Sequence, residues 1–435
     1  MKERKMGNNK IGLPEIMIVI SVLMLFIFGR MTTNPIESDE FYWISSSAYF
    51  EDWITFDTTA ESWQVNHMTL SGPALPKYLI AIGRLLGGFQ PDNLNKPYNY
   101  SISYDANIAE GRVPSDKLLF SSRTPMGILS VLLGGLFYAF MLHGINRFTA
   151  IFWLILFISN DALNRILPLA MSEAPLIFFS FLSVIFVLRG QNHLITTLES
   201  TLKPQGQNSF YKFYILAGVC VGLAAASKIH GFFLLITFGI LLLYILFIPK
   251  YSITNKIKIT YLIRIFSVFS LSALFVFILL NPFIYTNPVT GVGWMFQYRL
   301  MDMSGQSQQD IRLTTLPLIQ RWGTILYNLM TSNASIRGNF GLYINTILAL
   351  LGSILIVRAI VNAISKRMPF DLICTTLLYF SIMVISAFMS PLDWLRYFLY
   401  PIFAVTLILS FSTNYLFEKI KQVITKRIYK TNHSV

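Results

Sequence analysis

The residues that could do chemistry gather near the start of the chain. Between Asn34 and Glu61 runs "NPIESDEFYWISSSAYFEDWITFDTTAE", which holds seven of the 21 acidic residues, from Glu37 to Glu61. Asp39 and Glu40 stand side by side within it, only a few residues beyond an apolar run and followed directly by Phe41, Tyr42 and Trp43. An ionised carboxylate near hydrocarbon is costly unless it is hydrated, paired or put to use. Cations that could answer the pair recur at Lys77, Arg123, Lys228 and Arg396, each beside or inside an apolar run. Carboxylates facing cations at membrane depth suit a reaction between an anionic lipid headgroup and a nucleophile. The carboxylate takes a proton while the cations hold a phosphate. The plainer alternative is a solvated loop that ends a helix.

The elements that must position these groups are apolar helices. Of the 435 residues, 54% are hydrophobic, 15% aromatic and 13% charged, and the mean hydropathy is +0.57. Ordinary soluble domains carry about 25% charged residues, so the fold class expected is an all-α polytopic membrane protein. Spans are read near 11–29, 124–142, 149–160, 168–188, 213–227, 229–248, 262–281, 341–358, 370–389 and 396–414. The third is short enough to be a broken helix. The first follows a basic start, "MKERKMGNNK", but is too long for a signal core and lacks a small-residue cleavage pattern, so an uncleaved span is expected.

Most of the 34 Lys and Arg fall in the short segments that ten spans would leave inside, which sets both termini in the cytoplasm. The same placement accounts for the net charge of +13 without nucleic acid. Six regions follow: the N-terminus and first span (1–29), a first outer segment with the acidic motif and interfacial helices (30–123), a membrane core (124–281), a second outer segment (282–340), the last spans (341–414) and a basic tail (415–435). The inner loops carry no Walker motif and no Gly-rich dinucleotide loop, which argues against a nucleotide-using domain on that side. Cys220 and Cys374 lie in apolar runs and imply neither disulfide nor zinc.

In this order and spacing the motifs resemble one family. "SDEFYW" after the first span, "GPALPKYLIAIGRLLGG", "SSRTP" at the next span, "SEAPLIFFSFL", "GLAAASKIHGFFLL" and "RYFLYPI" are similar to motifs of polyprenyl-phosphate-sugar-dependent glycosyltransferases of the GT-C fold. Protein O-mannosyltransferases and the aminoarabinose transferase of lipid A resemble it most. The resemblance implies about ten membrane helices and extracytoplasmic transfer of a sugar, hexose or pentose, from a polyprenyl-phosphate donor to a hydroxyl of a glycan, lipid or protein, with inversion. It implies Asp39 as the base with Glu40 beside it, and Lys77, Arg123, Lys228 and Arg396 as cations for the donor phosphate. Tyr78, Glu173, Tyr397 and His67 would support them.

The sequence departs from the family at Gly72, where His or Lys is frequent, so one donor-phosphate contact is either missing or supplied by His67; Glu173 stands for an Asp. Some members bind a divalent cation near the acidic motif, but Asp39, Glu40 and His67 are too few to argue a closed metal site. Other readings stay open residue by residue. Lys77 reads also as a snorkelling interfacial lysine, Arg123 as a span-end anchor, and Arg396 as the partner of Asp393. The segment from 281 to 310, with Trp294, Phe296, Tyr298 and Arg299, would cover the site or merely connect spans. A transporter or flippase for lipid-linked saccharides is the rival function. Such proteins tend to show internal repeats and mid-span charges, whereas these charges cluster at outer span ends. A bacterial inner membrane suits the short loops.

Overall fold

A computed structural model describes residues 12–199, 209–246, 255–309, 339–366, 368–388 and 395–432, with a few single positions between 320 and 330. Every regular element among them is helical. Eight helices are long and apolar enough to cross a membrane: Leu13–Thr33, Asp116–Gly144, Glu173–Thr197, Phe210–Ser227, Ile229–Leu246, Lys258–Leu280, Leu342–Ser365 and Arg396–Lys426. Two shorter apolar helices, Arg147–Ser159 and Leu372–Ala387, bring the apolar helices to the ten read from sequence.

In chain order the first span is α1 (Leu13–Thr33), followed by five short helices before the next span. These are α2 (Ser38–Ser45), α3 (Tyr49–Thr55), α4 (His67–Ser71), α5 (Ala74–Leu86) and α6 (Tyr104–Ala109). Next come α7 (Asp116–Gly144), α8 (Arg147–Ser159), α9 (Asp161–Ile166), α10 (Glu173–Glu199), α11 (Ser209–Ser227), α12 (Phe233–Leu246) and α13 (Asn255–Leu280). After α13 comes α14 (Pro288–Gln309), and the last spans are α15 (Asn339–Ser365), α16 (Leu372–Phe388) and α17 (Leu399–Asn432).

Burial sorts the spans. α7, α10, α11 and α17 are mostly covered by neighbours, whereas α1, α13 and α15 keep long apolar faces open on the rim, as lipid-facing helices do. The centre is aromatic: Phe137 stacks between Trp153 and Phe181, with Phe403 beside them. On α11, Gly218 and Gly222 are four apart and turn the same face to α13. A Cβ there would lie 2.2 Å from the Phe269 carbonyl oxygen and 2.5 Å from that of Ala273. Small residues at this spacing let two backbones touch where lipid offers no hydrophobic drive.

Two details differ from the sequence expectation and one agrees with it. α7 starts at Asp116, capped by Ser115, so Arg123 and Pro125 lie inside a helix rather than at its entrance. The short third span is indeed broken: α8 ends at Ser159 and Asn160 caps α9 through the Leu163 N–H. Asn164 Nδ2 donates to the carbonyls of Phe157, Ile158 and Asn160, satisfying backbone groups that a bent helix leaves open inside a membrane. Finally, α17 runs through position 414 to Asn432 without a break, so the basic tail continues the last span as helix.

Candidate active site

The adjacent acids part company because α2 is a helix. Glu37 is its N-cap, with a reciprocal box in which Glu40 Oε2 accepts the Glu37 N–H at 3.2 Å. Both Asp39 and Glu40 fall in the first turn, where carboxylates suit the helix dipole. Consecutive helical residues point about 100° apart, so Glu40 is buried while Asp39 stays partly exposed.

Glu40 goes inward and is fully buried. Its carboxylate accepts from Arg123 Nε at 2.8 Å, from an Arg123 terminal nitrogen at 2.5 Å and from the Ala170 N–H at 2.8 Å. Arg123, 2% exposed, spends its other N–H groups on the carbonyls of Met31, Asn34 and Pro35. This pair ties α1, α2, α7 and the turn before α10 together. It leaves the guanidinium no donor for a phosphate, contrary to the phosphate role expected from the motif.

Asp39 goes outward, with its side chain 34% exposed. It pairs with Arg396 and accepts the Tyr100 hydroxyl at 2.8 Å. Burial pushes its pKa up, but the Arg396 guanidinium, with Tyr100 and Lys228, outweighs this and holds the carboxyl below its ordinary value. Around it, separate elements bring charged groups to one place. Lys228, extended between α11 and the turn 229–232, donates to Glu173 Oε1 at 3.2 Å and lies 4.8 Å from the centre of the Tyr397 ring. Arg396 and Arg299 approach the same ring at 5.6 and 5.8 Å. Arg299 also donates to the Tyr397 hydroxyl and to Asp302, each at 2.5 Å. Two buried nitrogens here, His230 Nδ1 and Arg299 Nε, make no hydrogen bond among the described residues.

Of the residues singled out in the sequence, the cluster thus gathers Asp39, Lys228, Glu173, Arg396 and Tyr397. Lys77 is elsewhere: its ammonium donates to the Met68 and Gly72 carbonyls. Tyr78 packs against Trp53 at 5.2 Å and donates to the Leu280 carbonyl. His67 meets the Tyr298 hydroxyl instead of standing in for position 72. A Cβ at Gly72 would lie 2.6 Å from the Trp43 ring, so a larger residue would displace that indole. Asp393 lies outside the described residues.

Sequence reasoning missed Tyr100, which has no motif around it, and left Arg299 as one residue of a covering segment. Its neighbours Trp294, Phe296 and Tyr298 were the available signal. No group of three or more His, Cys, Asp or Glu positioned for a metal occurs among the described residues.

With this geometry in hand, comparison with known proteins is informative. The fold is that of the GT-C glycosyltransferases. An oligosaccharyltransferase from Archaeoglobus fulgidus superposes over 95% of this chain with a TM-score of 0.53 at 11% identity, and this chain spans 52% of that one. The Saccharomyces cerevisiae protein O-mannosyltransferase Pmt1-Pmt2 complex bound to its sugar donor aligns over 64% of this chain and 35% of its own, at 18% identity and a TM-score of 0.42. ArnT from Cupriavidus metallidurans bound to undecaprenyl phosphate aligns over 93% and 78%, at 11% identity and a TM-score of 0.39. No curated protein matches. In sequence, residues 42–288 match the dolichyl-phosphate-mannose-protein mannosyltransferase family, and the chain belongs to it. That match takes in Lys77, Arg123, Glu173 and Lys228 but begins just after Asp39 and ends before Arg299.

Proposed function

We propose that the protein is a membrane glycosyltransferase that moves a sugar from a polyprenyl-phosphate donor to an acceptor hydroxyl on the extracytoplasmic side. The family and the ten apolar helices support this reading, and the basic residues of the segments read as inner place the cluster outside in it. The observation that carries it is the Asp39–Arg396–Tyr397–Lys228 constellation. With Arg299 on the same Tyr397 ring, it sets a partly exposed carboxylate among three cations, and His230 Nδ1 and Arg299 Nε make no hydrogen bond among the described residues.

In this reading the donor phosphate sits on Lys228, Arg299 and Arg396, with His230 Nδ1 and Arg299 Nε as further contacts. The acceptor oxygen attacks the anomeric carbon opposite the phosphate. As the new C–O bond forms and the bond to phosphate oxygen breaks, the proton passes to Asp39 and polyprenyl phosphate leaves with the electron pair, which inverts the anomeric centre. A phosphate on Arg396 competes with Asp39 for that guanidinium and so raises the basicity of Asp39 when donor is present. Glu173 orients Lys228, while Glu40 and Arg123 brace the loop without touching substrate.

The segment 30–123 is proposed to give the site Asp39 and Tyr100, the span ends Glu173, Lys228, Arg396 and Tyr397, and α14 Arg299, with the basic inner segments orienting the protein and a bacterial inner membrane its place. Asp39→Asn tests the reading: it keeps the shape and removes the base. Transfer from a synthetic polyprenyl-phosphate sugar should fall by about 10²–10⁴-fold with expression and insertion unchanged. Full transfer by the variant would remove Asp39 from the mechanism.

A further inference from the structure

Lys77, like Arg123, is a motif cation that the cluster does not use. It stands in the first turn of α5, 1% exposed. Its Nζ donates to the Met68 carbonyl at 2.6 Å and the Gly72 carbonyl at 2.9 Å, and lies 4.9 Å from the Tyr49 ring centre and 5.9 Å from that of Trp43. No described carboxylate pairs with it, and burying a lone ammonium is costly. Its two acceptors both belong to the turn formed by α4 and Gly72. A helix of five residues is weak by itself; the Asn66–Thr69 capping box and the Tyr42–Ser71 hydrogen bond at 2.5 Å hold part of the turn, and the lysine adds a grip on its Met68 and Gly72 carbonyls.

The grip leads onward to the cluster. α4 opens at His67, whose Nδ1 meets the Tyr298 hydroxyl on α14, with the two rings 5.5 Å apart. The next residue, Arg299, reaches the Tyr397 hydroxyl. We infer that Lys77 is a positioning residue: by holding the 67–72 turn it fixes His67, and through His67 and Tyr298 it holds α14 where Arg299 meets the cluster. The role of Arg299 rests on the function proposed above; the grip itself does not.

A pH dependence follows with a definite sign. Burial brings the Lys77 ammonium down to about 7, while opening the turn would hydrate it and restore its ordinary value. Above about 7 the open form binds a proton that the closed form lacks, so the closed form gains with rising pH; below about 7 both are protonated and the balance is flat. The tyrosines facing Lys77 do not share this window. Burial raises Tyr49 to about 12 and Tyr42 higher still. On the helices packed around α5, Glu40 is paired with Arg123, Glu51 with Arg84 and Asp52 with Ser62. α11 presents Ala225 and Ala226, and Ile229 follows just beyond its end. His67, on the turn itself, faces Tyr298.

Hydrogen exchange on the full-length protein in nanodiscs, corrected for intrinsic rates, tests this without any substrate. In the native protein, protection of amides 68–72 should rise up to roughly tenfold per pH unit above 7. Lys77→Met should raise exchange at 68–72 and at 290–302 at least about tenfold and abolish the pH dependence, leaving α7 and α10 unchanged. Tyr298→Phe keeps the ring and should loosen 290–302 alone. A flat profile in the native protein, or unchanged exchange at 290–302 in both variants, would overturn the inference. If Lys77→Met does not insert, the native profile and Tyr298→Phe still decide it. Because no turnover is measured, the clasp and the transfer reaction stand or fall separately.

Discussion

Asp39 and Glu40 are neighbours in one turn of one helix, and each has an arginine, yet the two ion pairs have opposite character. The Glu40–Arg123 pair is sealed from solvent and saturated: five donor contacts leave the guanidinium, and the carboxylate also takes backbone N–H groups from Glu37 and Ala170. The Asp39–Arg396 pair is partly open, shares its surroundings with Lys228, Arg299 and Tyr397, and has unbonded nitrogens nearby. A saturated pair resists change and a partly satisfied one can exchange partners. That difference separates a brace from a working site better than residue type does.

Four substitutions would break or sharpen the contrast, the largest effect first. Asp39→Asn should cost transfer about 10²–10⁴-fold while thermal unfolding in detergent is nearly unmoved; a large loss of Tm with activity kept would reverse the two roles. Arg123→Met leaves Glu40 buried and unpaired, and should lower stability by about 3–5 kcal/mol, read as a large drop in Tm or in folded yield. A variant of native stability with weakened donor binding would return Arg123 to the phosphate.

Arg396→Gln comes third. Transfer requires Asp39 ionised, so activity is lost as pH falls through its folded pKa, which Arg396 now holds low against burial. Removing the guanidinium should move the acid limb of the pH–rate profile upward, besides weakening donor binding. An unshifted limb would separate Asp39 from the titrating base. Tyr100→Phe should be mildest, removing one hydrogen bond to a charged and partly exposed group, and cost roughly three- to tenfold in kcat. A larger loss would put the Tyr100 hydroxyl itself in contact with substrate.

How much could be read beforehand differs between frame and site. The apolar runs gave all ten helices, because a bilayer demands about 20 apolar residues per crossing and a helix to satisfy the backbone. The break after Ser159 showed in the brevity of its run. Asp39, Lys228, Glu173, Arg396 and Tyr397 were singled out by motif and are gathered at one place. Lys77, Arg123, Glu40 and Tyr78 were singled out by the same motifs and are spent on backbone carbonyls, an ion pair or packing. Tyr100 could not be foreseen, since its partner Asp39 is 61 positions away and no periodicity links them.

Composition and spacing therefore determined that this chain is a bundle of membrane helices with its acids and several cations at one end, because hydrophobic length and charge placement are local properties of a sequence. Only the tertiary structure decided which carboxylate meets which cation. That choice depends on the direction each side chain takes from its helix and on which donors the surrounding backbone has already claimed, and both are set by contacts between segments far apart in the chain.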